Sequence, residues 1–353
     1  MNHFVIDGER MKYPNTGLYH YCLHLINAMA SQVHSGEEIL EVYTSTHVKK
    51  ELPATTSLLA QHAWHKVIFP NYSNIKVWHC TNQGSDYFPR RLKSKKILTI
   101  HDLNFLEEKK ERPAKIRHLL NKIQQRIDNA DHLIAISACT AELVKSHLNI
   151  GDKKISVIYN GCNITEHINT TKPTIAPKGE FIFTIGTIMA KKNFHVLPAI
   201  LKERDLTLVI SGMISDPYYK ELIEKEARKH GVKERILFTG PVSENDKQWY
   251  YANCKAFVFP SLTEGFGLPV IEAMHFGKPV ILSTLTALPE IGGDAAYYFQ
   301  DFDAENMQQA FQRSMDHFYS HPEQEGLIKR RSSLFSWTEA ARRHLDIYRS
   351  LSS

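Results

Sequence analysis

The 353-residue sequence lacks the features that mark several large classes of protein. No apolar run approaches the roughly 20 residues that a membrane-spanning helix needs. There is no low-complexity tract, and the N-terminus enters the strand-like run His3–Ile6 without the basic and apolar regions of a signal peptide. We therefore expect a globular, cytoplasmic protein that is long enough for two domains of ordinary size.

Cysteine is sparse, and its spacing is uninformative. The five residues are Cys22, Cys80, Cys139, Cys162 and Cys254. They form no C-x-x-C pair and no Cys/His ligand pattern, so neither a disulfide framework nor a zinc site is expected. We predict buried, free thiols.

The positive charge is concentrated in the first half of the chain. Residues 1–165 carry 21 basic and 15 acidic side chains, whereas the remainder carries 22 and 23. The run Arg90–Lys96 has five cations in seven residues, and residues 109–126 add more. Such a run is either a solvated surface or a patch for anionic lipid headgroups or an acidic acceptor. Because no nucleic-acid-binding module accompanies the charge, no nucleic-acid partner is expected.

Strand-like runs alternate with longer helical patterns, such as Gly17–Val33 and Pro217–His230, along the whole chain. The predicted strands are His3–Ile6, Ile39–Tyr43, Ile97–Ile100, His132–Ile136, Ile155–Ile158, Phe181–Ile185, Thr207–Ile210, Ile236–Phe238, Ala256–Phe259 and Val280–Leu282. This alternation predicts an α/β protein with parallel sheets.

One polar stretch interrupts the alternation. Residues 165–179 are rich in proline and threonine, as in a linker between domains. We predict an N-terminal domain of residues 1–165 and a C-terminal domain of residues 166–335. A capping pattern at Ser336 and Glu339 begins a last helix, residues 336–353, which we expect to pack back on the first domain. Ligands of such domains bind beyond the carboxyl ends of the strands.

The most informative motif lies at residues 260–274, directly after the predicted strand Ala256–Phe259. It places Glu264 before a Gly-Phe-Gly loop and Glu272 about one turn inside the helix that follows. Free backbone N–H groups are expected at Gly265, Phe266, Gly267 and Leu268. A helix N-terminus of this kind binds phosphate, and two flanking carboxylates suit hydroxyl groups, so the motif fits a nucleotide sugar. The alternative is an ordinary strand-loop-helix turn whose carboxylates only cap and solvate it.

A basic pair follows another predicted strand, Phe181–Ile185. Gly186 makes the turn, and Lys191 and Lys192 open what reads as a helix. Two lysines there suit the binding of a diphosphate and the stabilisation of its charge as it departs. The alternative is a solvated helix start, although cations at that end oppose the helix dipole.

Weaker signals occur in the first half. Gly17 precedes the first long helix, as in a phosphate-cradling or acceptor-facing loop or in a simple helix entry. His101 and Asp102 follow the strand Ile97–Ile100, where a histidine can hydrogen-bond a sugar hydroxyl or have a purely structural role. Ser137 is read as a structural N-cap.

The pair Asp301 and Asp303 matches a D-x-D pattern that some transferases use to hold a metal-diphosphate. It directly precedes a helical pattern, so we interpret Asp303 as an N-cap and predict no metal site.

Together these motifs resemble those of the retaining glycosyltransferases of family four. Their signature is Glu-x7-Glu, which Glu264 and Glu272 fit. The resemblance also covers Pro14–Gly17, Ile100–Asp102, Ile136–Ser137, Ile158–Gly161, Gly186–Asn193, Gly240–Val242 and the helix at Trp337. It implies the GT-B fold, in which two Rossmann-like, doubly wound parallel-sheet domains face a central cleft.

The resemblance also implies roles. Glu272 would hold the ribose hydroxyls, and Val242 would lie near the base. The implied catalytic residues are His101 beside the transferred sugar, Glu264 and Lys192. The implied nucleotide-sugar site comprises Gly17, Gly186, Lys191, Lys192, Val242, Glu264, Gly265, Phe266, Gly267, Leu268 and Glu272. In one departure, Lys191-Lys192 replaces the Arg-Lys pair frequent in the family, which exchanges a forked contact for a point charge.

The implied activity is retaining, metal-independent transfer of a hexose to a glycan or glycolipid acceptor in surface polysaccharide or lipopolysaccharide synthesis. Mannose from GDP-mannose is the favoured donor, with no cofactor beyond the nucleotide sugar, and peripheral contact with the inner face of the membrane is expected from the basic patch. A UDP-sugar-dependent transferase, a sugar-nucleotide epimerase of the same fold and a non-catalytic nucleotide-binding scaffold are the alternatives.

Overall fold

The structure, a computed structural model, describes residues 1–14, 16–164 and 170–352. The chain divides into two compact units, Met1–Gly161 with Ser336–Ser353, and Cys162–Phe335. The boundary predicted between residues 165 and 166 lies outside the described residues.

The first unit contains a seven-stranded parallel sheet. Its strands are β1 (Asn2–Asp7), β2 (Glu38–Thr44), β3 (Ser57–Ala60), β4 (Val77–Cys80), β5 (Lys95–Ile100), β6 (His132–Ala135) and β7 (Lys154–Val157). Its helices before the second unit are α1 (Gly17–Ala30), α2 (Phe105–Glu108), α3 (Pro113–Asp128) and α4 (Ala138–His147). The strand order is β3-β2-β1-β4-β5-β6-β7, and each neighbouring pair is parallel.

The second unit contains a six-stranded parallel sheet. Its strands are β8 (Phe181–Ile185), β9 (Thr207–Ser211), β10 (Ile236–Gly240), β11 (Ala256–Phe259), β12 (Val280–Ser283) and β13 (Tyr297–Phe299). Its helices are α5 (Pro217–Lys229), α6 (Glu244–Asn253), α7 (Leu268–His275), α8 (Leu288–Gly292), α9 (Ala304–Ser320) and α10 (Gln324–Ser333). The order β10-β9-β8-β11-β12-β13 is also parallel throughout.

The predicted α/β class with two doubly wound parallel sheets is confirmed. Each predicted strand is present with bounds within two residues of those expected. The short strands β3, β4 and β13 were not predicted. The four residues of β4 are buried between β1 and β5, so this segment takes its strand form from pairing on both sides rather than from a recognisable pattern.

Helix starts follow local side-chain chemistry. The Ser137 hydroxyl accepts a hydrogen bond from the Thr140 N–H (3.1 Å), and Asp303 Oδ1 accepts from the N–H groups of Glu305 and Asn306. Both predicted N-caps are therefore confirmed.

The prediction that a helix begins at the basic pair is wrong. Lys191 and Lys192 lie in a three-residue 3-10 turn, Ala190–Lys192. Asn193 ends this turn in the left-handed conformation (φ 57°), which no continuing α-helix permits. The argument that these lysines oppose a helix dipole does not apply.

The last helix, α11 (Trp337–Ser352), belongs to the first unit. The Ser336 hydroxyl accepts from the Glu339 N–H at 3.3 Å. Tyr348 packs edge-on against Phe4, with ring centroids 5.3 Å apart, and Arg349 makes an ion pair with Glu38 at 2.8 Å. The helix thus covers one face of the first sheet.

Several expectations from composition can be checked on the described residues. All five cysteines are free, and Cys22, Cys80 and Cys254 are buried. The basic run is not one solvated surface, because Lys96 is buried in β5 and its ammonium group donates to the carbonyl of Leu92 (2.6 Å). Within the described ranges, no helix combines the length and apolar character needed to span a bilayer.

Candidate functional site

Most of the predicted site residues follow two adjacent strands of the second unit. The chain order reverses between β8 and β11, because β9 and β10 extend the sheet on one side and β12 and β13 on the other. Such a reversal leaves a crevice beyond the carboxyl ends of the two central strands. Gly186 and Lys192 follow β8, and Glu264 follows β11.

The structure brings the basic pair and the first glutamate together. Lys192 Nζ lies 2.5 Å from Glu264 Oε1, and the two side chains are only 12% and 14% exposed. The Leu262 N–H donates to the carbonyl of Lys191 at 2.8 Å, which joins the two loops. A lysine ammonium group has three donors, so contact with Glu264 leaves capacity for a phosphate oxygen.

The backbones of Gly186, Gly212 and Gly240 approach one another closely beside Lys192. The Gly212 N–H donates to the carbonyl of Gly240 at 2.9 Å, and a Cβ on Gly212 would lie 2.1 Å from the carbonyl oxygen of Gly186. A Cβ on Gly186 would lie 3.1 Å from Cε of Lys192. Gly212 was not predicted, although the step from Ser211 into a glycine at a strand end was a usable signal. Val242, two residues beyond Gly240, is half-buried.

The Gly-Phe-Gly loop leads into α7, which begins at Leu268. Gly267 has φ 118°, a conformation that favours glycine, and no side chain caps the helix within the described residues. Phe266 is buried edge-on against Phe335, with centroids 5.7 Å apart, so only its backbone can contribute to a site. The Glu264 N–H donates to Thr286 Oγ1 at 2.9 Å, which holds the loop in place.

The second glutamate lies one turn inside α7 and is held by a buried polar network. Glu272 is 3% exposed. Its Oε1 accepts from Asn163 Nδ2 (3.2 Å) and Lys247 Nζ (3.3 Å), and its Oε2 accepts from the Tyr251 hydroxyl (3.0 Å). The predictions from sequence missed all three partners.

Among the described residues, this network pairs the buried Glu272 carboxyl group with the ammonium group of Lys247. Burial opposes the charge of Lys247, but the carboxylates of Glu272 and Glu244 outweigh it and raise the pKa of Lys247 above its usual value. Burial and the neighbouring Glu272 raise the pKa of Tyr251 well above its usual value, so its hydroxyl keeps its proton and acts as a donor. The arrangement therefore places an ammonium group on one oxygen of Glu272 and a hydroxyl donor on the other.

Two predicted site residues, Gly17 and His101, lie in the first unit. A Cβ on Gly17 would meet no atom within 4 Å. His101 Nε2 lies 2.7 Å from the carbonyl of Thr81, so this nitrogen carries the proton. Burial lowers the pKa of His101 to about 4, so near neutral pH the ring can accept a hydrogen bond at Nδ1 but cannot act as a cation. Their approach to a ligand stays a prediction.

In the second unit, the site combines a cation, an uncapped helix start and two carboxylates. The first two suit a diphosphate, and the carboxylates suit hydroxyl groups. Two family models match the sequence: "Glycosyltransferase Family 4" over residues 28–166 and "Glycosyl transferases group 1" over residues 166–326. The chain belongs to the family-four glycosyltransferases.

Two curated relatives of this glycosyltransferase are named mannosyltransferases. The serotype-specific mannosyltransferase WbdA of Escherichia coli is 30% identical over 245 residues, which are 64% of this chain and 29% of WbdA. The chain therefore spans less than a third of the WbdA length. The O-antigen chain mannosyltransferase B of Escherichia coli is 24% identical over 395 residues, covering 98% of this chain and 99% of that protein.

Among solved structures, Anabaena Alr3699/HepE in complex with UDP-glucose has the same fold as this glycosyltransferase. The TM-score is 0.72 at 14% identity, and the match covers 99% of this chain and 100% of HepE. The GT-B fold implied by the sequence motifs is thereby supported along the whole chain.

Proposed function

We propose that this glycosyltransferase transfers mannose from GDP-mannose, with retention of configuration, to a glycan or lipid-linked acceptor in O-antigen or lipopolysaccharide synthesis. One observation supports the donor site: the loops after β8 and β11 bring Lys192 and Glu264 into contact, next to the start of α7, which holds Glu272. The relatives named as mannosyltransferases favour mannose.

In the proposed binding mode, Glu272 accepts hydrogen bonds from the ribose hydroxyls. Lys191, Lys192 and the backbone N–H groups of residues 265–268 hold the diphosphate. Glu264 orients the sugar while keeping its contact with Lys192. The lysines and N–H groups take up the developing charge, so the proposal assigns no metal ion and no cofactor other than the donor.

In the proposed reaction, the bond between the sugar anomeric carbon and the diphosphate oxygen breaks. A new bond forms from the same face to an acceptor hydroxyl oxygen. The proton of that hydroxyl passes to an oxygen of the leaving diphosphate, so the products are the glycoside and the nucleoside diphosphate. His101, neutral at the working pH, accepts a hydrogen bond from a sugar hydroxyl.

The test is a thermal-shift panel of GDP-, UDP-, ADP- and CDP-linked sugars, each compared with its free nucleoside diphosphate. A ligand that binds only the folded state raises the melting temperature by mass action. We expect the largest shift with GDP-mannose and its loss in Glu272→Ala. Glu325→Ala, which removes an exposed carboxylate paired with Lys329, is the matched control.

The panel also separates the alternatives. A shift with a UDP-sugar instead would favour the UDP-dependent transferase. Isomerisation of the donor without acceptor would favour an epimerase. A nucleotide that binds but never turns over with any acceptor would favour a scaffold, and no shift with any nucleotide would contradict the proposal.

We also propose that the first unit contacts an anionic membrane surface. Three large apolar side chains follow one another within five residues: Trp64 is 55%, Val67 87% and Ile68 70% exposed. Lys66 lies among them, and both Lys66 and Lys12 lie about 5 Å from the ring of Tyr87, at 5.2 and 5.1 Å. Exposed tryptophan and aliphatic groups with flanking lysines suit a bilayer interface.

The membrane proposal is tested by sedimentation with phosphatidylglycerol vesicles and with neutral phosphatidylcholine vesicles. We expect sedimentation with the anionic vesicles only and its loss in the double variant Val67→Ser, Ile68→Ser. Leu334→Ser, at a 65% exposed position of the second unit, is the control. Equal sedimentation of the double variant and the wild type would contradict it.

A further inference from the structure

We propose that Lys247 is a positioning residue for the donor site, which gives the Glu272 carboxylate its counter-charge and holds it in place for the nucleotide ribose. This inference rests on the proposed function, which gives Glu272 its role in binding the ribose. It adds a residue outside the Glu-x7-Glu motif. Lys247 lies in the middle of α6, where a lysine is ordinarily part of a solvated face.

The side chain of Lys247 is directed inward. It is only 9% exposed, and its ammonium group lies 2.8 Å from Glu244 Oε2 and 3.3 Å from Glu272 Oε1. Tyr251, four residues later on the same face of α6, donates to the other oxygen of Glu272 at 3.0 Å. One face of α6 thus holds both carboxylate oxygens and fixes their plane.

Lys247 supplies a positive charge beside the Glu272 carboxyl group. Within the part of the chain that the structure describes, Glu272 interacts with the titratable groups of Lys247 and Tyr251 from α6 and of Cys162 from the segment that opens the second unit. Burial and Glu272 raise the pKa of Tyr251 well above its usual value, and burial raises that of Cys162 to about 11. Both are uncharged near neutrality, so Lys247 is the cation among these three groups.

Removal of Lys247 has a defined consequence. A buried carboxylate that loses its counter-charge is strongly destabilised, and it responds by taking up a proton. A protonated carboxyl group has lost acceptor capacity, because one of its oxygens then carries a hydrogen. The ribose hydroxyls would lose their acceptor as the pH falls, whereas a purely structural lysine would lower affinity equally at every pH.

The first experiment is independent of any ligand. The titration of the Glu272 carboxyl carbon is followed by NMR in wild type, Lys247→Met and Lys247→Arg, with glutamate labelled at Cδ. We expect the midpoint in Lys247→Met to move up by at least about one pH unit and Lys247→Arg to restore it. Lys329→Met, which removes an exposed lysine paired with Glu325, should leave it unchanged.

The second experiment measures the affinity for GDP across the pH range in the same four proteins. We expect Lys247→Met to bind more weakly than wild type as the pH falls from about 8 towards about 5, by up to about 10-fold for each pH unit that the Glu272 midpoint has moved. Wild type, Lys247→Arg and Lys329→Met should have nearly parallel profiles.

The outcomes separate the two proposals. An unchanged Glu272 titration in folded Lys247→Met, or a loss of affinity that is equal at each pH, would overturn the role of Lys247. If Lys247→Met does not fold, the test is made with Lys247→Arg. A Glu272 titration and a pH profile of GDP affinity like those of the wild type would support the role of Lys247. A loss of GDP affinity that is the same at each pH would overturn it. Should the titration shift as expected while no nucleotide binds wild type, the proposed function fails and the charge coupling stands.

Discussion

Two regions bury titratable groups in opposite ways. In the second unit, the carboxylates of Glu264 and Glu272 each lie against a lysine, at 2.5 and 3.3 Å. The first unit, by contrast, buries the histidines His79, His101 and His344, which pair with hydroxyl and carbonyl groups; His344 lies in α11 itself. The paired charges of the second unit are suited to binding a charged ligand. The neutral histidine rings of the first unit are suited to joining a helix to a sheet.

The histidine cluster joins α11 to the sheet through a chain of hydrogen bonds. His79 Nδ1 lies 2.6 Å from the Tyr348 hydroxyl, and its Nε2 lies 2.7 Å from Thr99 Oγ1. His344 Nδ1 donates to the carbonyl of Ala340 at 2.7 Å. Burial lowers the pKa of His79 well below its usual value and that of His344 to about 4, so the rings stay neutral at neutral pH.

The largest expected effect is therefore on the first unit in acid. In the unfolded chain the three histidines bind protons near pH 6.5, but in the folded unit burial lowers the pKa of His101 and His344 to about 4 and that of His79 well below its usual value. Stability is present above pH 6.5 and is lost as the pH falls, at about 1.4 kcal/mol per pH unit for each histidine. At about pH 5 this amounts to about 2 kcal/mol each for His101 and His344.

Hydrogen exchange measured at about pH 7.5 and 5 tests this expectation, because it resolves the two units. Peptides from α11 and β4 should lose protection first, while those from β8 and β11 should keep it. His344→Gln removes one titrating ring, so its loss of stability with falling pH should be less steep. Equal loss of protection in both units would contradict the contrast.

The next effect is on turnover in the second unit. Lys192→Met removes the cation beside Glu264 and the proposed diphosphate contact. We expect kcat to fall by about 10²–10³-fold, in the range for loss of a group that stabilises charge in the transition state. Lys192→Arg should retain part of the activity, and Lys220→Met, which breaks the ion pair with Glu224, should behave as wild type.

Kinetics with saturating donor distinguish this role from a structural one. A fall in kcat with an unchanged melting temperature supports the charge role. Wild-type kcat in Lys192→Met would show that the ion pair with Glu264 only holds the loop.

A smaller effect is expected from Asp7 at the carboxyl end of β1. Burial, which outweighs the hydrogen bond from the Glu9 N–H, raises the pKa of Asp7 to about 7. Because the folded state binds this proton more tightly, Asp7 contributes stability below about pH 4 that is lost as the pH rises through 7. As the pH falls from 7 to about 4, the stability that Asp7 adds thus offsets the stability lost through about one of the three histidines.

Asp7→Asn tests the sign of this contribution. The variant should be more stable than wild type at about pH 8, and it should lose stability more steeply in acid because the offset is gone. Urea denaturation at two pH values measures both differences. A variant that is less stable at the higher pH would contradict a buried carboxylate that resists ionisation there.

The contrast also marks what sequence patterns can predict. The Glu-x7-Glu spacing and the glycine turn are local, so Glu264, Glu272 and Gly186 could be read directly. Lys247 could not, since the sequence of α6 does not reveal which face of the helix is buried. The burial of Lys96 could not be predicted for the same reason. Its place among five cations in the sequence does not show that its side chain is buried in β5. Local chemistry predicts caps and turns, whereas burial of a charge is decided by tertiary packing.

The smallest expected effect comes from the solvent-facing side of α11, where ion pairs are present without burial. Arg342 lies 2.6 Å from Glu339 and 2.7 Å from Asp346, yet all three side chains are more than half exposed. Solvent screens such pairs, so Arg342→Met should move the melting temperature by less than about 1 °C. Its exposed pairs are no longer than the 3.3 Å contact of Lys247 with Glu272. A larger shift would mean that the number of pairs, rather than their burial, separates the two regions.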